Sequence, residues 1–440
     1  MVHVKPNEVF EVLKKYMLVD GFDIVVDLEK SHGRYMVDAR TGAEYLDFFS
    51  FFATNPLGFN HPKMTTDEFK QKLARVSVQK PSNSDFYTVE MAEFVETFFN
   101  VAVPDYFKYV FFIDGGALAV ENALKTAFDW KVRKNFAKGI QEEKGHQVIH
   151  FKEAFHGRSG YTLSLTNTAD PRKYQYFARF NWPRVLNPKI TFPLTLERLE
   201  EVRAAEEESL RQIRRAIEQN PDDIAAIIIE PIQGEGGDNH FRPEFFQALR
   251  KIADDNDIML IFDEVQTGVG LTGKMWAHEH FGVQPDIMAF GKKTQVCGIL
   301  VTDRVDEVEN NVFKESSRIN STWGGNLTDM VRSQKYFEII AEEKLVEHAA
   351  QMGEYFESKM DDLEKEFPEL VSNVRARGLF AAFSLPNTEI RDRVYQRAYE
   401  NKVIVLKSGF DSIRFRPPLN IQPAEIDQGF DVLFNVLKSL

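Results

Sequence analysis

The sequence predicts an α/β fold built on a mainly parallel sheet, and three observations carry that expectation. Residues 225–229, 258–262 and 287–290 are short apolar runs without alternation. They are too short for helices and suit strands buried on both faces. Stretches with helical character lie among such runs: a charged one over 194–219, stopped by Pro221, and one starting at Pro243 with Phe245, Phe246, Leu249 and Ile252 on one face. The runs also end in polar residues: Glu230, then Asp263 and Glu264, then Gly291, Lys292 and Lys293. In an open α/β sheet, chemistry collects outside the carboxyl ends of the strands.

The remaining elements follow in chain order. Residues 7–20 place Val9, Leu13 and Tyr16 at helical spacing. Strand-like pieces at 24–27, 35–37 and 45–48, with a turn at 39–42, read as a small N-terminal lobe. FFATNPLGFNH at 51–61 is punctuated like an active-site loop, and KPSNSD at 80–85 is a polar turn. A strand at 109–113 leads through Asp114-Gly115-Gly116-Ala117 into a helix over 118–131, and a strand at 147–151 leads into Phe155-His156-Gly157-Arg158. Residues 320–326, NSTWGGN, form a polar turn, and 327–365 read as one or two amphipathic helices. Strands at 379–384, 403–406 and 412–415 and a helix over 426–439 close the chain.

Composition excludes several classes. The 440 residues suffice for two domains and a large core. A net charge of −13 with no basic tract argues against a nucleic-acid partner. No apolar run reaches membrane-spanning length, and the charged N-terminus is unlike a signal peptide. Cys297 is the only cysteine, which excludes a disulfide framework or a cysteine metal site and suits a reducing cytoplasm. A small buried packing residue is its simplest reading. No metal is expected.

An acid at one strand end and a lysine at the next is what a pyridoxal phosphate (PLP) enzyme requires. The lysine forms a Schiff base with the cofactor, and the acid keeps the pyridine nitrogen protonated. The glycine turn before the helix at 118 is a ready anion site, with backbone donors at Gly116 and Ala117. Charge keeps Asp114 out of that role. Phe155 either stacks on a flat ring or packs in the core. Arg158 suits a bidentate carboxylate clamp or a surface ion pair.

IMLIFDEVQTGVGLTGKMWAHEHFGVQPDIMAFGKK, residues 258–293, resembles the signature of the class III (ornithine and ω-amino acid) aminotransferases, and the similarity extends from about residue 38 to 419. The resemblance implies PLP-dependent transferase fold type I. A large, mainly parallel α/β/α domain would span 61–325, with a small α+β domain from both chain ends, 1–60 and 326–440. It implies PLP held by Lys292, with Lys293 as the alternative, and Asp263 on the pyridine nitrogen. Phe155 and Val265 would press the ring faces, and Gln266 would meet the phenolic oxygen. Thr322 would reach the phosphate across a homodimer with shared sites.

Two departures stand out: the phosphate turn offers no hydroxyl at Asp114 or Ala117, and Leu271 replaces the arginine of G-x-G-R-T-G. KPSNSD, AFHGRSGYTLSLTNT, FGKKTQVCG and NSTWGGNLTDM are most similar to the branch that moves the ε-amino group of L-lysine to 2-oxoglutarate, giving L-glutamate. An ornithine or other ω-amino acid donor is the alternative within the class, and an aminomutase one outside it. Substrate contacts would come from Arg158, Asn320, Glu235 and Arg414. Alternation puts Arg414 and Arg416 on one face, and the R-F-x-P pattern favours Arg414. Glu235, in a glycine loop read as flexible, would pair with that arginine for lysine and swing away for glutamate.

Overall fold

The computed structural model of the protein describes residues 2–440. Strands β1 (Tyr35–Val37) and β2 (Glu44–Asp47) form the expected hairpin near the N-terminus. The central sheet contains β3 (Phe107–Ile113), β4 (Gln147–Phe151), β5 (Arg184–Val185), β6 (Ile224–Ile229), β7 (Met259–Asp263), β8 (Ile287–Phe290) and β9 (Cys297–Thr302). Strands β10 (Ser372–Arg377), β11 (Phe380–Ser384), β12 (Val403–Ile404), β13 (Leu406–Ser408) and β14 (Ser412–Phe415) complete the set. The central order is β3-β9-β8-β7-β6-β4-β5, and β9 runs against both neighbours while the others share one direction. The architecture is fold type I: a mainly parallel sheet between helices, with smaller sheets beside it.

Strand alternation builds the layers. Met259 and Ile261 of β7 enter a core shared with the helix Gly116–Ala137, and Leu260 and Phe262 enter another with the helix Pro243–Asp255. All four are fully buried, each contributing about 2 kcal/mol of apolar burial. Phe246 packs edge-on to Phe262 at 5.5 Å and stacks on Phe281 at 4.3 Å. That fixes the helix against the strand that ends in Asp263.

The smaller sheets draw on both chain ends: β12 pairs with β2, and β10, β11, β14 and β13 form a four-stranded sheet. Several expectations need correction. Residues 24–27 are not a strand and keep only the bridge between Val26 and Asp38. The N-terminal helix shrinks to Val9–Lys14 after a short turn at Pro6–Glu8, because little of it finds a buried face. The 327–365 stretch, expected as one or two helices, is two, Leu327–Glu342 and Leu345–Glu366, broken by left-handed Lys344. The 403–406 strand splits between two sheets. At the start of the 51–61 loop region, Ser50, Phe51, Phe52 and Ala53 form a left-handed turn with φ from +47° to +65°. Among the described residues no helix is long and apolar enough to cross a membrane.

Candidate active site

The carboxyl ends of β7 and β8 meet a cavity of about 630 Å³. Gly116, Ala117, Phe155, Arg158, Glu235, Asp263, Val265, Gln266 and Lys292 all line it. Residues separated by up to 176 positions are thus gathered by one sheet edge. Gly116 opens the helix Gly116–Ala137, so its backbone N–H belongs to a helix end of the kind that suits an anion. It must be glycine for space: an added Cβ would sit 2.8 Å from Val265 Cγ1.

Lys292 occupies the tight connection between β8 and antiparallel β9. Its backbone is left-handed, φ +55°, as is that of Gln295 at +60°. Gln295 Nε2 fastens the connection by donating to the Thr54 carbonyl at 2.8 Å. Burial pulls the Lys292 amine down to about 8, Arg414 adding to the effect and Asp263 opposing it. Lys293 leaves the cavity and donates to the Gln266 carbonyl at 2.9 Å and the Ala53 carbonyl at 3.4 Å. Cys297 is buried at the start of β9 and also lines the cavity.

Asp263 accepts a hydrogen bond from His156 Nδ1 at 2.8 Å, and both side chains are buried. Burial alone would lower the His156 pKa, but the Asp263 carboxylate more than offsets this and the net shift is upward. Glu230 stands close by and accepts the Phe155 and Gly234 N–H groups at 2.9 and 3.2 Å. Burial pushes it up to about 7, partly countered by His156. No role for His156 was legible from the chain alone, because its partner lies 107 residues away.

Glu235 is paired with Arg414 through one carboxylate oxygen and with Lys173 through the other. Burial pushes its carboxyl up, yet Arg414 and Lys173 together hold it below the usual carboxylate range. Arg416 pairs with Asp238, and neither side chain is exposed. The Glu235 loop is not flexible as expected. Gly234 is closed against Gln266, where a Cβ would lie 2.7 Å from Cδ, and Gly236 is closed against the Glu153 carbonyl. The Gly409 N–H also holds the Glu235 carbonyl at 3.1 Å. These glycines permit close approach rather than motion. Two predicted residues stay apart from the cavity: Asn320 and Thr322 are solvent-exposed on their loop.

The residues present fit PLP. An amine, a buried carboxylate, a helix start for an anion, and an aromatic and a branched aliphatic wall share one space of suitable size.

The comparisons agree with this geometry. L-lysine-epsilon aminotransferase from Mycobacterium bovis is 55% identical over 427 residues, covering 96% of this chain and 93% of the relative. The enzyme of that name from Streptomyces clavuligerus is 48% identical over 431 residues, covering 97% and 93%. A solved lysine aminotransferase from M. tuberculosis, described as the internal aldimine form, superposes with a TM-score of 0.97 at 53% identity, covering 99% of this chain and 100% of that one. Residues 16–437 match the family described as aminotransferase class-III. The chain belongs to the class III aminotransferases.

Proposed function

We propose that this protein transfers the ε-amino group of L-lysine to 2-oxoglutarate, giving L-glutamate and 2-aminoadipate 6-semialdehyde, which cyclises to piperideine-6-carboxylate. One observation carries the reading: Lys292 and Asp263 end adjacent strands in a cavity bordered by the Glu235–Arg414 pair. The lysine-specific relatives over nearly the full chain support the substrate choice. PLP, when bound, supplies an electron sink for charge developing on the substrate carbon. Lys292 would hold it, Asp263 would keep its ring nitrogen protonated, and Gly116 and Ala117 would hold its phosphate. Phe155 and Val265 would flank the ring. Gln266 Oε1 is taken up by Arg414 and Arg416, and its Nε2 would donate to the phenolic oxygen.

Lys292 is also the base. An amine with a pKa near 8 takes a proton from the substrate carbon at neutral pH and returns it elsewhere far more readily than a solvated lysine. Arg158, exposed at the cavity wall, would clamp the α-carboxylate of the lysine substrate. Glu235 masks Arg414 meanwhile, so an α-carboxylate finds no second arginine beside the reacting centre. 2-Oxoglutarate brings its own carboxylate for Arg414 and takes the place of Glu235.

The same reading includes a homodimer in which Thr322 reaches the partner's phosphate site. Its support is the exposure of Thr322 and neighbouring Trp323 away from their own cavity. A large domain over 61–325, a small one over 1–60 and 326–440, and a cytoplasmic location belong to it as well. The test is a single-turnover screen of lysine, ornithine and 4-aminobutyrate, following loss of the cofactor absorbance. Lysine should react fastest and yield the cyclised product; faster ornithine turnover would overturn the substrate assignment.

A further inference from the structure

Lys173 lies outside the cavity, on a short turn at Pro171–Lys173. Asp170 caps that turn by accepting the Arg172 N–H at 3.1 Å. The turn directs Lys173 to the back of Glu235, where its ammonium holds Oε1 while Arg414 holds Oε2. The ammonium also stands 5.8 Å from the centroid of the Phe155 ring. Lys173 and Glu235 are each 23% exposed in their side chains and Arg414 only 1%, so the three charges are largely withdrawn from water. The backbone beneath Glu235 is pinned by the close packing of Gly234 and Gly236 and by the Gly409 bond. Any motion of its carboxylate is therefore a rotation of the side chain.

A carboxylate that leaves Arg414 in such a place needs another cation, because an unpaired buried charge is costly. We propose that Lys173 is a positioning residue that retains Glu235 when Arg414 is released, and so sets the balance between lysine and 2-oxoglutarate. This rests on the masking role given to Glu235 above. In the closed arrangement Glu235 has two cations, and in the open one it keeps only Lys173. Loss of Lys173 therefore penalises the open arrangement more, and the dicarboxylate half-reaction is the one that suffers.

The test uses the holoenzyme with Lys173→Met and Lys173→Arg. Each half-reaction is followed by stopped flow, and affinity for glutarate, a dicarboxylate that cannot react, is measured by calorimetry. Lys173→Met should raise the 2-oxoglutarate KM and the glutarate Kd roughly tenfold. The lysine half-reaction should change by less than about twofold, and Lys173→Arg should restore the dicarboxylate values. In a Glu235→Gln background, Lys173→Met should have no further effect. A weakening that persists in that background would reveal plain attraction for the anion and overturn the proposal. Equal losses in both half-reactions, or an unchanged glutarate affinity, would overturn it too. If Glu235→Gln itself affects both half-reactions alike, the masking role fails first. If it separates them and Lys173→Met does nothing, only the role of Lys173 fails.

Discussion

Arg414 and Arg416 converge on one atom, Oε1 of Gln266, at 3.4 Å from Arg414 Nη1 and at 3.1 and 2.9 Å from Arg416 Nε and Nη2. Their acids separate them: Arg416 is locked to fully buried Asp238, while Arg414 faces Glu235 at the cavity. Arg416→Met should therefore be a stability mutation, because it strands a buried carboxylate at a cost of about 3–5 kcal/mol. Arg414→Met should cost less stability and weaken glutarate binding. Calorimetric melting and titration of both variants would decide; the reverse pattern would exchange the two roles.

Glu235→Ala should slow the half-reaction with lysine, by unmasking Arg414, and largely spare that with glutamate. Stopped-flow measurement of each direction checks it. Similar losses in both, or none, would remove Glu235 from substrate selection.

Asp263→Ala should leave a folded protein that loses cofactor on desalting and turns over at least a hundredfold more slowly, since an unprotonated ring is a poor electron sink. His156→Ala removes the group that orients the carboxylate and should cost about tenfold. Near-native turnover in Asp263→Ala would refute its electronic role.

The Lys292 amine, lowered to about 8, should make the empty protein capture pyridoxal phosphate faster as pH rises through that value, because only the neutral amine attacks. The sign for folding is parallel. Between about 8 and the ordinary lysine pKa the unfolded chain keeps a proton that the folded one has released, so this group favours folding increasingly as pH rises there. An absorbance-monitored capture rate with its midpoint near 10 would mean that the amine is solvated.

The central sheet was legible because β6, β7 and β8 are uninterrupted apolar runs, and their polar ends marked the site. The helix Thr388–Glu400 was not, since its buried face comprises Arg391, Val394 and Ala398 and presents little apolar periodicity. Strand β10 hid for a similar reason, with Arg375 buried and bonded to the Asp238 and Gly237 carbonyls. Choosing Lys292 over Lys293 depends on a turn that sends adjacent side chains apart, and composition carries no trace of that. Gly234 and Gly236 looked like hinges because sequence cannot distinguish a glycine that moves from one that makes room. Lys173 sits in a charged Pro-Arg-Lys turn, and nothing in that pattern distinguishes it from ordinary surface.

Lys292 also has a bearing on the life of the chain. A left-handed backbone costs an L-residue about 1–2 kcal/mol, and here it accompanies a desolvated amine. Both are costs to the folded state. Covalent capture of the proposed cofactor at Nζ would remove the free amine and add ligand contacts that only the folded state makes. Cofactor-free copies would therefore be the less robust ones, and limited proteolysis with and without added pyridoxal phosphate should cut them faster.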